Sequence, residues 1–251
     1  MKKLLIGFHH GIGDFIAFTP ALRALNNIYD EIDLCCKPDL LESGFLQHCP
    51  YISQVIPCLE HPWGKTRPII LEKNANRFQE LLKDGRYDNQ FYIPDNWVGK
   101  KPEVYVDYCC LKAHNFDPED KANWELEVWT KSDQYDEFLE HLEGNKPYMF
   151  VHCHTPLWPG KSFEIDELPE VKSFKGRLIR TDENKFPSIN MAFLCMREAS
   201  SIIIADSVFM WAAWAMNLSI DYVYFGSNDL RVHPLDQHRS LIKRSNIEKW
   251  V

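Results

Sequence analysis

Two histidines, two glycines and an aspartate crowd into HHGIGD, residues 9–14, between the apolar run KKLLIGF and the helical pattern DFIAFTPALRAL. A turn between a strand and a helix could be made with one glycine, so this density asks what sits beside it. Glycines let a backbone approach a ligand closely, and the free amides of a helix start favour an anion. Gly7, Gly11 and Gly13 do not make the GxGxxG spacing, however, and Asp14 puts negative charge where a pyrophosphate would lie. The loop therefore suits a hydroxyl-bearing ligand better than a phosphate. Asp14 has two readings. It caps the helix and complements its dipole, or it is a general base that takes a proton from an attacking hydroxyl. One of His9 and His10 can orient the ligand while the other caps the turn.

A second group of polar residues stands in HCHTPLWPGK, 152–161. His152 and His154 lie on one face if this stretch is a strand. A metal would need further ligands that the sequence does not supply, so a strand end lining a cleft is the reading adopted. Thr155 and Lys161 suit a diphosphate, one as hydroxyl donor and one as point charge, with a solvated lysine as the alternative. In RTDEN, 180–184, Glu183 can accept hydrogen bonds from ribose hydroxyls or simply belong to a charged loop. Trp211 and Trp214 share one helical face, so at least one packs in a core.

The elements that must position these groups alternate along the chain. KKLLIGF, EIDLCCK and SQVIPC read as buried strands, separated by helical segments from Asp14 onward and in DLLESGFLQ. NRFQELLKDGRYDNQFYI gives a helix, a stop at Gly85 and a strand. EVYVDYCCLKAHNF and SDQYDEFLEHLEGN read as helices closing the first half. The alternation then restarts with PYMFVHCH, GRLIRT, SSIIIAD and IDYVYFG as strands, SINMAFLCMREA and VFMWAAWAMN as helices, and a helical tail in QHRSLIKRSNIEKW. Such alternation means βαβ units and parallel sheets. The expected fold is α/β, with two Rossmann-like domains, residues 1–145 and 146–251, facing a cleft.

Composition narrows the functional classes. The chain has 251 residues, 45% hydrophobic and 13% aromatic, enough to bury real cores, and a formal charge of -8 without a basic block. That argues against nucleic acid as the main partner. The eight cysteines include the adjacent pairs Cys35–Cys36 and Cys109–Cys110 and show no CxxC spacing, and they read as reduced thiols of a cytoplasmic protein. The apolar opening is too short for a signal peptide. The longest apolar stretch is interrupted by Asp206, Asn217 and Asp221, so no transmembrane segment is expected. Peripheral contact with a membrane stays compatible with the sequence.

GIGDFIAFTPALRAL resembles the N-terminal signature of glycosyltransferase family 9, the heptosyltransferase-like enzymes. LLKDGRYDNQFYI resembles that family's helix-then-strand segment, and VDYCCLKAHNF its stretch before the inter-domain region. SINMAFLCMREASSIIIADSVFMWAAWAMNLSIDYVYFGSND is similar to its C-terminal block, which carries D-[ST]-G-x-x-H. In order and spacing these cover most of the chain. The resemblance implies a GT-B architecture and inverting, metal-independent transfer of a sugar (a heptose is one candidate) from a nucleotide-diphosphate donor to a glycan or other hydroxyl acceptor. The nucleotide sugar is then a substrate, and no cofactor is implied. The family's catalytic aspartate falls on Asp14, with His10, Gly11 and Gly13 on the acceptor side. Its phosphate-contacting lysine best matches Lys161, and its phosphate turn falls on Asp206, Ser207 and Val208. Thr155 and Glu183 complete the expected donor side. The motif glycine is Val208 here and the motif histidine Trp211. That departure sets an alternative beside the enzyme: a protein of the same fold that binds a sugar nucleotide or glycan without turnover.

Overall fold

The apolar run at the start of the chain forms β1 (Lys3–Phe8), buried from Leu4 onward, as a strand covered on both faces must be. The computed structural model describes residues 1–57, 67–94, 100–114, 116–130, 135–155, 162–166 and 168–224. β2 (Glu31–Cys36) pairs with β1 in parallel, Phe8 opposite Cys36. β3 (Gln54–Pro57) flanks β2 and β4 (Asn89–Tyr92) flanks β1, all parallel, in the order β3-β2-β1-β4. The winding therefore reverses between β1 and β4.

Helices cover both faces of this sheet: α1 (Ile12–Asn26), α2 (Pro38–Glu42), α3 (Arg67–Leu82) and α4 (Pro102–Tyr108). On one face Leu5, Cys35 and Phe78 pack with Tyr92. A Cβ on Gly7 would lie 2.7 Å from Tyr92 and 2.9 Å from Phe78, so that glycine serves packing and not a ligand. On the other face Phe8 meets Phe15 and Phe18, and Phe18 meets Tyr105 of α4.

α1 runs through Pro20 without ending. Proline lacks the N–H that would satisfy the carbonyl four residues back. Here the Thr19 hydroxyl donates to the Ile16 carbonyl instead, at 2.7 Å, and accepts the Glu127 amide at 2.9 Å. The same segment is clamped by Arg23, which donates to the carbonyls of Ala122, Asn123 and Glu125 and pairs with the Glu127 carboxylate. Tyr51 and Trp129 donate to that carboxylate as well. These bonds tie residues up to Trp129 to α1.

The first compact unit accordingly is Met1–Trp129 and the second Thr130–Val251. The boundary expected at 145 moves because α5 (Asp136–Glu143), read above as the end of the first domain, packs on α7 (Ile189–Glu198) of the second. The second unit repeats the pattern: β5 (Tyr148–His152), α6 (Pro169–Ser173), β6 (Arg177–Arg180), α7, β7 (Ser201–Ala205), α8 (Val208–Ala215) and β8 (Tyr222–Tyr224). Its sheet is parallel, ordered β6-β5-β7-β8, and its winding reverses between β5 and β7. Met149, Val151, Cys153, Ile165 and Ile203 fill one face. Phe150, Phe193 and Phe209 meet on the other. The helical tail expected from 237 onward lies outside the described residues.

The cysteine reading needs one correction. Cys36, Cys49, Cys109, Cys110, Cys153 and Cys195 are free thiols, but Cys35 is disulfide-bonded. Cys58 lies outside the described residues. Burial pushes the Cys36 and Cys49 thiols up to about 12, which suits small core residues and not nucleophiles. Among the described residues no helix is long and apolar enough to cross a membrane.

Candidate active site

In open α/β sheets ligands bind beyond the carboxyl ends of the strands, at the point where the winding reverses. In the first unit that point lies between β1 and β4, and the HHGIGD loop leaves β1 there. His10, buried, donates from Nε2 to the Pro94 carbonyl just past β4, at 2.9 Å, and so spans the reversal point. Its ring stacks on His9 and stands edge-on to Phe8.

α1 begins at Ile12, two residues earlier than its apolar periodicity indicates, and its N-cap is Gly11 without a side-chain cap bond. Gly13 is the second helical residue. Asp14 is the third, within the first turn, where its charge complements the dipole. The capping position itself is therefore taken by another residue. Asp14 is 9% exposed. Among the described residues a Cβ on Gly11 would have Asp14 Oδ2 near it, at 3.7 Å, and the Gly11 backbone is extended, a conformation open to any residue. Space beside the carboxylate, and not backbone freedom, is what this glycine provides. The charge of Asp14, after burial, also pushes the Tyr105 phenol up. Tyr105 gave no signal in the sequence, because an aromatic in a short helix reads as core.

In the second unit the corresponding edge carries the ends of β5, β6 and β7. Ser207 is the N-cap of α8, and its hydroxyl accepts the Phe209 amide at 3.3 Å. Among the described residues the amides of Ser207 and Val208 have no backbone partner. Val208 has a helical backbone, so this turn does not require glycine. Asp206 before it is 8% exposed. Thr155 is also buried, and its amide donates to the Ser162 hydroxyl at 2.9 Å. Lys161 lies outside the described residues. Trp211 is buried and stacks on Trp214, so the residue at the family's histidine position is a core residue.

Glu183 is exposed, and its Oε1 stands 3.1 Å from Arg180 Nε. The same guanidinium bonds Asp182 at 3.1 and 3.3 Å. Burial pushes the Asp182 carboxyl up, but the Arg180 bonds outweigh it and hold the group below its ordinary range. His152 bonds Thr181 Oγ1 through Nδ1 at 2.7 Å and lies 4.5 Å from the Phe209 ring. Burial lowers it to about 4, against a smaller upward pull from Asp182. It is neutral at pH 7. Among the described residues no group of three His, Cys, Asp or Glu side chains is placed to hold a metal ion.

No family model matches the chain, and none of the curated proteins matches it in sequence. Solved structures match in fold. A glycosyl transferase family 9 protein from Veillonella parvula DSM 2008 is 12% identical, with a TM-score of 0.61 over 91% of this chain and 82% of that one. The E. coli ADP-heptose LPS heptosyltransferase II is 14% identical, with a TM-score of 0.62 over 98% of this chain and 89% of that one. At these identities the likeness shows the fold: an α/β chain with parallel sheets, built as these glycosyltransferases are.

Proposed function

We propose that the chain is an inverting glycosyltransferase that moves a sugar, a heptose being one candidate, from a nucleotide-diphosphate donor to a glycan or other hydroxyl acceptor. The observation that carries this reading is the placement of Asp14: a buried carboxylate on the first turn of α1, at the reversal point of the first sheet, with Gly11 placing no side chain against it. In the reaction the acceptor oxygen attacks the anomeric carbon as its proton passes to Asp14. The bond from that carbon to the diphosphate breaks, and the nucleoside diphosphate leaves with the electron pair. The leaving charge is met by the amides of Ser207 and Val208 and by Thr155 and Lys161, with no metal required. Glu183, beside Arg180, is the donor-side carboxylate for ribose hydroxyls. His10 holds the acceptor loop in place through Pro94, with Gly11 and Gly13 beside it.

A thermal-shift screen against nucleoside diphosphates and nucleotide sugars tests the donor side, since a ligand bound only by the folded state raises the melting temperature. Donor hydrolysis then tests turnover. Binding without hydrolysis or transfer for any donor would replace this reading with the binding-only one, to which the core role of Trp211 at the motif histidine also points.

A further inference from the structure

The end of α1 that lies away from Asp14 borders a cavity with no part in the chemistry above. α1 joins two parallel strands, so its last turns stand at the amino edge of the first sheet, where Lys2 precedes β1. Arg23 and Asn27 are about 14–20 Å along the helix from Asp14. Arg23 holds the 122–125 segment against α1 there, and beside that clamp lies an open cavity of about 590 Å³. Sites for small ligands commonly measure about 300–1,000 Å³.

The lining suits an anion with an apolar body. On α1, Pro20, Arg23, Ala24 and Asn27 recur at helical spacing and share one face. The other wall comes from much later in the chain, with Ala113, His114, Phe116 and Asn123. Phe116 is buried and stands edge-on to Trp124 at 4.8 Å, which fixes that wall. Ala24 and Ala113 put small side chains on both walls, where a leucine would close the gap. Lys2 lines the rim. Its backbone is fixed there, since its amide donates to Asp30 Oδ2 at 2.6 Å and its carbonyl accepts the Asp30 and Glu31 amides. None of the described lining residues is acidic. Arg23 is already paired with Glu127, so Lys2 is the charge that a ligand meets. A cation near a helix C-terminus complements the dipole. That accounts for Lys2 alone, and for neither the gap nor the Asn27 amide and His114 imidazole beside it.

We propose that this cavity is a second binding site, for a small organic anion with a carboxylate or phosphate head on an apolar body. Lys2 meets the charge of the head, and Asn27 and His114 donate hydrogen bonds to its oxygens. The body lies against Pro20, Ala24 and Phe116. This ligand is neither the donor nor the acceptor of the reaction above, and the site stands whether or not the chain is a transferase. Its occupant bridges the second half of α1 and the 113–123 segment.

The test is calorimetric titration of the full chain with phenylacetate, phenyl phosphate and the uncharged 2-phenylethanol. At least one of the two anions should bind roughly tenfold or more tightly than the alcohol, the scale of a charge-assisted contact. The tighter of the two identifies the head group. Lys2→Met should bring that anion down to the level of the alcohol, and Lys2→Arg should keep most of the preference. Ala24→Leu exchanges one good helix former for another and fills the gap, so it should abolish binding of every probe. No binding of either anion, or equal binding of anions and alcohol, overturns the proposal. A preference that survives Lys2→Met overturns it as well, and so does unchanged binding in Ala24→Leu, which would put the probe elsewhere on the chain. If Ala24→Leu does not fold, the exposed Lys2 decides: its exchange for methionine leaves the packing alone, and the anion preference must go with it.

Discussion

A carboxylate that only steadies a helix and one that takes a proton respond differently to becoming an amide. Asp14 sits at the third position of α1, while Gly11 holds the cap. Asp14→Asn removes the dipole contribution, roughly 0.3–1 kcal/mol, and should lower the melting temperature by at least that much while keeping the fold. If Asp14 is the base, turnover should fall roughly 10²- to 10⁴-fold, because asparagine keeps the shape but cannot accept the proton. Nucleotide binding, measured by calorimetry, should not change. Full activity in the variant would retire the assignment. Gly11→Ala probes the same spot by size. Its backbone tolerates a side chain, so the fold should survive with stability within about 1 kcal/mol of the native chain. The added methyl fills the space beside Asp14, and activity with any acceptor should drop. His152 supplies a pH prediction. Its folded value of about 4 lies below the ordinary 6.5, so the unfolded chain binds more protons between the two. Stability is then full above pH 6.5 and falls as pH drops from 6.5 toward 4, by about 3 kcal/mol at most. His152→Gln should flatten that part of the melting-temperature profile; an unchanged slope would place the acid sensitivity elsewhere.

At the scale of elements, α1 shows how a local conflict is resolved by a tertiary bond. Pro20 inside a helix leaves the Ile16 carbonyl without its amide, and Thr19 takes that carbonyl while its oxygen receives the Glu127 amide. Thr19→Val keeps the shape and removes both bonds, leaving a buried acceptor and a donor unsatisfied. The expected loss is about 2–4 kcal/mol in denaturant unfolding, against less than about 1 for a surface threonine. A near-neutral result would mean that α1 shifts to satisfy itself. The threonine–proline pair was visible in the sequence, but its remedy was not. Strands and most helices were legible because each is a short apolar run or a helical stripe closed by a glycine or proline. The start of α1 was missed by two residues, since Ile12 and Gly13 carry no cap signal. The five-residue α6 was missed altogether, because PEVKS has no period to read. Glu127 holds Arg23 and Tyr51 across long sequence separations, and no local pattern announces such a clamp.

For the whole molecule, what the sequence could not supply is strand order, and strand order is what makes the two loop edges into candidate sites. The alternation implies parallel strands, but the reversals between β1 and β4 and between β5 and β7 depend on which side each crossover takes. The unit boundary was misread for a related reason. Gly144 and the following proline look like the end of a domain, yet α5 before them belongs to the second unit. Leu142 and Tyr135 are buried there, and Lys146 ties Glu143 of α5 to Glu198 at the end of α7. This yields a test on fragments. A fragment of residues 130–251 keeps α5 on α7, whereas one of residues 146–251 strips it away and exposes the surface that Leu142 covers. The shorter fragment should be less stable by about 2 kcal/mol or more, the value of one buried leucine before other losses are counted. Its unfolding midpoint in urea should fall accordingly, with thermal melts moving the same way. Equal stability of the two fragments would mean that α5 contributes nothing to the second unit, and the boundary would return to residue 145. A fragment of residues 1–129 should meanwhile keep its sheet and the Arg23–Glu127 clamp, since both partners of every bond in that clamp lie within it.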